Sequence, residues 1–290
     1  MKTIDLEQIG SLLKPFLNYN IENKRSIVLV TSGGTIIPLE KNMVRFIDNF
    51  SVGTRGAACA EYFVKSGCAV IFMYRKRSRM PFHRHFQEAP RTNYLDSFVI
   101  ENGKVVFNSK ENDEIRKAME DLEAARKEQL LIDIQFETIF DYLALLKFVS
   151  CSLVPFKKQA IIFSAAAVSD FYLKDLSEHK IQSSNGPLQL SLDNVPKVVP
   201  LLKSEWCPEA LIITFKLETD PSILSKKMNG HLVGYNVDIV IGNILGQHRK
   251  EVVIAQKATE DHKITLNNQD TEIEKSIVDV IIQRHHQYKL

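Results

Sequence analysis

The chain has 290 residues, enough for one large domain with a full core, and its 44% hydrophobic and 25% charged residues are an ordinary globular balance. A net charge of +2 argues against a broad basic face for nucleic acid. No apolar run approaches the roughly 20 residues that cross a bilayer, so neither nucleic acid nor membrane is an expected partner.

The opening "MKTIDLEQIGSLLKPF" is amphipathic, carries Asp5 and Glu7, and lacks the apolar core and cleavage site of a secretion signal. "SIVLVT" (26–31) reads as a buried strand feeding the glycine loop "TSGGT". From about Thr54 to Ser66 the pattern suits a helix that Gly67 ends, and "CAVIFMYR" (68–75) is the next buried strand. Strand, helix and strand with apolar strands predict a parallel sheet with right-handed crossovers.

The stretch 75–158 differs in character and reads as an insertion in the same domain. Within it "YRKRSRMPFHRHF" is basic and aromatic, either an RNA or membrane patch or else a rim that draws an anionic substrate or simply aids solubility; its few aromatics favour the latter pair. "SKENDEIRKAMEDLEAARKEQ" (109–129) alternates charge at helical spacing, as a solvated helix does. Three further strands follow, in "QAIIFSAAAVSD", "EALIITFKLETDP" and "NVDIVIGNIL", with a helix from about Pro221 after the second. "KEVVIAQ" and "KITLNN" fit an antiparallel hairpin, and 271–287 an amphipathic closing helix with Ile273, Ile277, Val280 and Ile281 on one face. The fold class is therefore α/β: a Rossmann-like, open, mainly parallel sheet with helices on both faces and a small C-terminal antiparallel hairpin, in a single domain over 1–290. Cys59, Cys68, Cys151 and Cys207 show no metal spacing and read as buried small hydrophobes of a reducing, cytoplasmic compartment.

Polar residues gather where these strands end, which is the ligand-binding edge of an open parallel sheet. Gly33, in the first loop, lets a phosphate approach backbone N–H groups or else makes a tight turn. "DNFSVGTRG" (48–56) brings Ser51, Gly53 and Gly56 to a helix start whose dipole favours an anion, while Asn49 serves either as a carbonyl-binding amide or as a turn residue. Ala165, Ala166 and Asp170 offer a flat surface and a carboxylate, or simply a close-packed helix start. Lys180 sits in a polar loop, solvated or placed for charge on a transferring phosphoryl group. Phe215 and Lys216 end another strand, where the ring either stacks a base or fills core, and Asn243 stands where an amide reads a base or ribose.

The strings "VTSGGT", "VRFIDNFSVGTRG", "FSAAAVSDFY", "EHKIQSSNGPLQL", "FKLETDP" and "GNIL" occur in an order that resembles the eukaryotic phosphopantothenoylcysteine synthetase family, ligases of coenzyme A synthesis, from about Ser26 to Ala255. The resemblance implies joining of 4′-phosphopantothenate to L-cysteine through an acyl-nucleotidylate. ATP is the favoured nucleotide and CTP the alternative, with Mg²⁺ on the triphosphate and no protein metal cage. Asn49 would contact the acyl intermediate and Lys180 would lie on a mobile loop above it; both are catalytic candidates. Gly33, Ser51, Gly53, Gly56, Ala165, Ala166, Asp170, Phe215, Lys216 and Asn243 would bind nucleotide; Arg45, Arg55 and Asn49 would bind substrate. A homodimer is implied, with the Asn49 region near the subunit interface. Val52 and Thr54 depart from the family's second serine and paired arginines, which leaves backbone rather than side-chain roles there.

An asparaginase-type amidohydrolase shares a "TGGTI"-like loop, but the second Thr-Asp loop it needs is missing from this sequence. A nucleotide-sensing module of the same fold would bind without turnover. A dehydrogenase lacks support, since there is no GxGxxG and no acidic residue for the ribose.

Overall fold

In the computed structural model, residues 4–88, 94–108, 113–267 and 271–290 are described. The strands in chain order are β1 (Ile27–Ser32), β2 (Ile36–Pro38), β3 (Phe46–Asp48), β4 (Ala69–Arg75), β5 (Phe98–Glu101), β6 (Lys104–Phe107), β7 (Leu131–Phe136), β8 (Ala160–Ser164), β9 (Phe171–Tyr172), β10 (Asp193–Asn194), β11 (Leu211–Glu218), β12 (Ile239–Ile244), β13 (Glu251–Gln256) and β14 (His262–Thr265). The helices are α1 (Leu6–Glu22), α2 (Thr54–Lys65), α3 (Arg84–Glu88), α4 (Asp113–Lys127), α5 (Ile139–Ser152), α6 (Val199–Leu201), α7 (Pro221–Gly234) and α8 (Ile273–Lys289).

Eight strands form one sheet in the order β14-β13-β12-β11-β8-β1-β4-β7. The run from β12 to β7 is parallel, whereas β13 and β14 return antiparallel as the expected hairpin. Strand order reverses at β1, which pairs β4 on one side and β8 on the other; this is the Rossmann order, and its switch point lies between β1 and β8. All six residues of β1 are buried, as the unbroken apolar run of a central parallel strand requires.

Alternation along the strands divides the core in two. Leu29, Ile71, Ile162 and Ile212 face α1, α5 and α7, while Val28, Val70, Ile161 and Ile213 face α2, α4 and α8. Apolar burial on both faces is the dominant stabilising term. Within the closing helix Val278 is buried alongside Ile273, Ile277 and Ile281, and Val280 is only partly covered.

The stretch 75–158 contributes to this same sheet. Its α4 and β7 complete the third parallel strand, and α5 covers the α1 face, with Thr138 and Asp141 forming a capping box at its start. Helix α4 is not wholly solvated: Ile115, Ala118 and Ala125 are buried, although residues 109–112 of the predicted helix lie outside the described residues. Arg84, expected on a basic rim, is buried in ion pairs with Glu61 of α2 at 2.7 Å and with Glu272 before α8. Cys59, Cys68 and Cys207 are buried, but Cys151 is exposed, which corrects its expected place in the core. No helix among the described residues is long and apolar enough to cross a membrane.

A small lobe stands at the carboxyl edge. It combines the β2–β3 hairpin with β9–β10 around Ile37, Leu39 and Leu173. Fully buried Glu40 anchors it: its carboxylate accepts from the Arg45 backbone at 2.8 Å, from Arg45 Nη1 at 2.8 Å and from the Ile181 N–H at 3.3 Å. Burial pushes that carboxyl's pKa up, but these donors together hold it below the usual carboxylate value.

Two outcomes follow from the fold. Replacing Glu40 with Ala removes the common acceptor, so limited proteolysis should cut faster within 177–182 while thermal melting of the sheet changes little. Buried His285, whose Nε2 lies 2.8 Å from the Lys158 carbonyl oxygen, has its pKa lowered to about 4, chiefly by desolvation. Because the folded value lies below the unfolded one, the unfolded chain takes up the proton first. The associated stability is complete above pH about 6.5 and is lost as pH falls towards 4, by roughly 3 kcal/mol. Urea titrations across that range should show the slope, and His285→Gln should reduce it but not abolish it, because burial lowers His231 to about 4 as well.

Candidate active site

The first loop is shaped by what glycine omits. Gly33 has φ +83°, and a Cβ there would meet Ser78 Oγ at 2.4 Å; one on Gly34 would lie 1.8 Å from the Asn49 carbonyl oxygen. The loops after β1 and β8 are zipped together. Ala167 N–H donates to the Gly33 carbonyl at 2.8 Å, Thr35 N–H to the Ala167 carbonyl at 3.1 Å, and Ala166 N–H to Thr31 Oγ1 at 3.2 Å.

Helix α2 begins at Gly53, with φ +80° and no side-chain cap, so its first N–H groups are left for another acceptor. Ser32 Oγ donates to the Gly53 carbonyl at 3.0 Å, and a Cβ on Gly56 would sit 2.4 Å from Ser32 Oγ. Ser51 Oγ accepts from the Gly53 N–H at 3.3 Å. Gly33, Ser51, Gly53 and Gly56 thus come together with Ala165 and Ala166 in one cradle at the switch point.

Asn49 sits on its rim, held by its backbone N–H to the Thr35 carbonyl at 3.1 Å. Its carboxamide has no partner among the described residues, so it forms no side-chain turn bond. Thr54 Oγ1 accepts from Arg79 Nη1 at 2.6 Å, and the Val52 carbonyl accepts from the Arg79 N–H at 2.9 Å. These two positions, where the sequence departs from the family pattern, hold the basic segment against the loop. Arg75 Nη1 binds Asp48 Oδ1 at 2.6 Å beside Asn49.

Further along the edge, Phe215 meets Phe163 edge-on at 5.1 Å. Its ring is half-buried, so it fills core and still offers a surface. Asn243 is buried on the neighbouring strand with Oδ1 unpartnered. Lys216 pairs with Glu218 at 3.2 Å, and Asp170 pairs with Lys197 in the open. Lys180 is exposed with no partner for its ammonium among the described residues, and its loop hangs from Glu40.

The two candidate substrate arginines are engaged within the chain. Arg45 donates to Glu40 and to the Ile181 carbonyl at 3.1 Å, which orients the Lys180 loop. Arg55 turns away from Asn49 towards Glu274, at 3.3 Å, and the His248 carbonyl. Sequence reasoning missed Thr31, Thr35 and Glu40, whose hydrogen bonds reach backbone groups of distant loops and carry no local signature.

Among the described residues no cluster of three His, Cys, Asp or Glu side chains is arranged to hold a metal.

A family profile described as the DNA/pantothenate metabolism flavoprotein C-terminal domain matches residues 23–85 and 148–284. It passes over 86–147, where β5, β6, α4 and β7 lie. The chain is 40% identical over 270 residues to the phosphopantothenate–cysteine ligase of Homo sapiens, covering 90% of this chain and 86% of that one. It is 39% identical over 272 residues to the enzyme of that name from Mus musculus, covering 91% and 88%. A solved structure of a Cab2 mutant in complex with phosphopantothenate-cysteine superposes with a TM-score of 0.91 at 36% identity, over 99% of this chain and 96% of the other. With the cradle, the amide rim and these likenesses in hand, the chain belongs to the phosphopantothenate–cysteine ligases, a family of ligase enzymes.

Proposed function

We propose that this chain joins 4′-phosphopantothenate to L-cysteine in coenzyme A biosynthesis, driven by a nucleoside triphosphate, ATP or CTP. The observation that carries the reading is the uncapped start of α2 at Gly53, set beside the unpartnered carboxamide of Asn49. A triphosphate suits the first, since backbone N–H groups and the helix dipole both face an anion there. A carboxylate, and later an acyl oxygen, suits the second.

In the first step a carboxylate oxygen attacks the α-phosphorus as its bond to pyrophosphate breaks, leaving the acyl-nucleotidylate. In the second, the amine of cysteine attacks the acyl carbon, the nucleoside monophosphate departs with the bonding pair, and the amine's proton goes to solvent. Asn49 orients the carboxylate, and Lys180 reaches over to offset negative charge on the phosphoryl oxygens. Positioning of this kind supplies several kcal/mol of such barriers. Mg²⁺ would be held by the triphosphate and water rather than by protein side chains, and would offset phosphate charge there.

We infer a homodimer in the cytoplasm. The lobe beside Asn49 supports the dimer, since Phe46, Phe50 and Phe171 there are 47%, 81% and 48% exposed, and exposed large apolar side chains are candidates for burial against a partner.

Pyrophosphate release from the purified protein with 4′-phosphopantothenate, Mg²⁺ and ATP or CTP tests the reading. It should need the acid and rise with cysteine; binding without release would leave a sensor. Asn49→Ala should lower kcat by about 100-fold or more without shifting the melting temperature, and retained activity would return Asn49 to a turn role. Lys180→Gln should cut turnover about 10- to 100-fold with stability unchanged, and near-normal turnover would leave that lysine merely solvated.

A further inference from the structure

The basic segment that follows β4 packs behind the cradle and holds both ends of the loop that carries Asn49. At one end Arg75, the last residue of β4, reaches across to β3, where its Nη1 lies 2.6 Å from Asp48 Oδ1. At the other end the Arg79 N–H donates to the Val52 carbonyl at 2.9 Å. Between these two holds, Ser78 and Arg75 occupy the room that Gly33 leaves. A Cβ on that glycine would lie 2.4 Å from Ser78 Oγ and 2.9 Å from Arg75 Cβ.

Asp48 closes β3 and pairs in register with Ile36, and residues 49–53 beyond it belong to no strand or helix. The chain therefore turns into the site directly after a side chain that is tied to β4. Any rotation of the backbone at Asp48 swings the Asn49 carboxamide with it. The Arg75 side chain is 17% exposed and that of Asp48 31%. Ion pairs open to water in this way contribute little to stability, so the clamp matters for direction more than for folding. Its two charges also match each other, so Arg75 is not a free cation waiting for an anionic substrate, although it stands in the basic segment.

Resting on the role of Asn49 proposed above, we propose that Arg75 is a positioning residue for the ligase reaction. By clamping Asp48 it fixes the direction in which the Asn49 carboxamide faces the reacting carboxylate. The leverage is steep, because a misplacement of about 1 Å at a reacting group can cost about 100-fold in rate. A guanidinium suits the task better than an ammonium, since its planar fork fixes an angle as well as a distance.

Values of kcat and KM for pyrophosphate release, with whichever of ATP or CTP supports turnover, test this. Arg75→Met should lower kcat about 10-fold, keep KM for 4′-phosphopantothenate within about twofold and leave the melting temperature in place. The neutral double variant Asp48→Asn/Arg75→Met should stay as slow, because the clamp is still absent. In an Asn49→Ala background, Arg75→Met should change kcat by less than about twofold, since the group it positions is already gone. A raised KM at normal kcat, cured in the neutral double variant, would mean that Arg75 only masks the Asp48 charge, and the proposal fails. It fails equally if Arg75→Met costs a further 10-fold in the Asn49→Ala background, as a direct contact with substrate would. Near-normal kinetics for Arg75→Met beside a crippled Asn49→Ala overturns the clamp while Asn49 keeps its role. Full activity of Asn49→Ala overturns that role, and the clamp with it. Should Arg75→Met not fold, Asp48→Asn alone removes the charge partner at constant shape and is read by the same criteria.

Discussion

The site depends on close backbone approach at two glycines. Gly34 touches the Asn49 carbonyl and Gly56 touches Ser32, each at a distance that no side chain tolerates. Because neither carries a Cβ, the end of the central strand, the hairpin loop bearing Asn49 and the first turn of α2 meet within one small volume. Donors from the helix and the amide from the hairpin then converge without any long side chain to bring them together. Orientation comes from backbone, which is stiffer than any lysine or arginine reaching from afar.

Around that junction the molecule separates its tasks. The sheet supplies rigid ends of β8, β11 and β12, with Phe215 and Asn243 on the α2–α8 face. The lobe carries Lys180 on a loop tied to the β2–β3 hairpin by the buried acid Glu40, by Arg45 at the Ile181 carbonyl and by the Lys41 N–H at the Ser177 carbonyl.

Much of the fold was legible because its central strands are buried on both faces. "SIVLVT", "AVIFMYR", "IIF" and "IVI" are continuous apolar runs, and no other environment suits them so well. β7 escaped because it is an edge strand: "LIDIQF" buries only Ile134 and Phe136, and its polar alternation blends with the charged helix before it. Residue types at the site were equally readable, since small residues, an amide and cations at strand ends have few other reasons to gather. Their partners were not. Arg45 and Arg55 look alike in sequence, yet one is spent on Glu40, five residues away, and the other reaches a carbonyl 193 residues away. Long-range pairings of that kind carry no periodicity and leave no local trace.

Arg84 binds both Glu61 of α2 and Glu272 at the start of α8, and Arg55 binds Glu274 one step further. The helix that opens the cradle is thus latched to the last helix of the chain. During synthesis the glycine loop and α2 leave the ribosome long before their acidic partners exist. Until residues beyond 270 emerge, Arg84 has Glu61 but not Glu272, Arg55 lacks Glu274, and the flank of α2 that packs on α8 stands uncovered. The nascent chain therefore cannot complete this face piecemeal, and the cradle is braced from this side only after α8 has emerged.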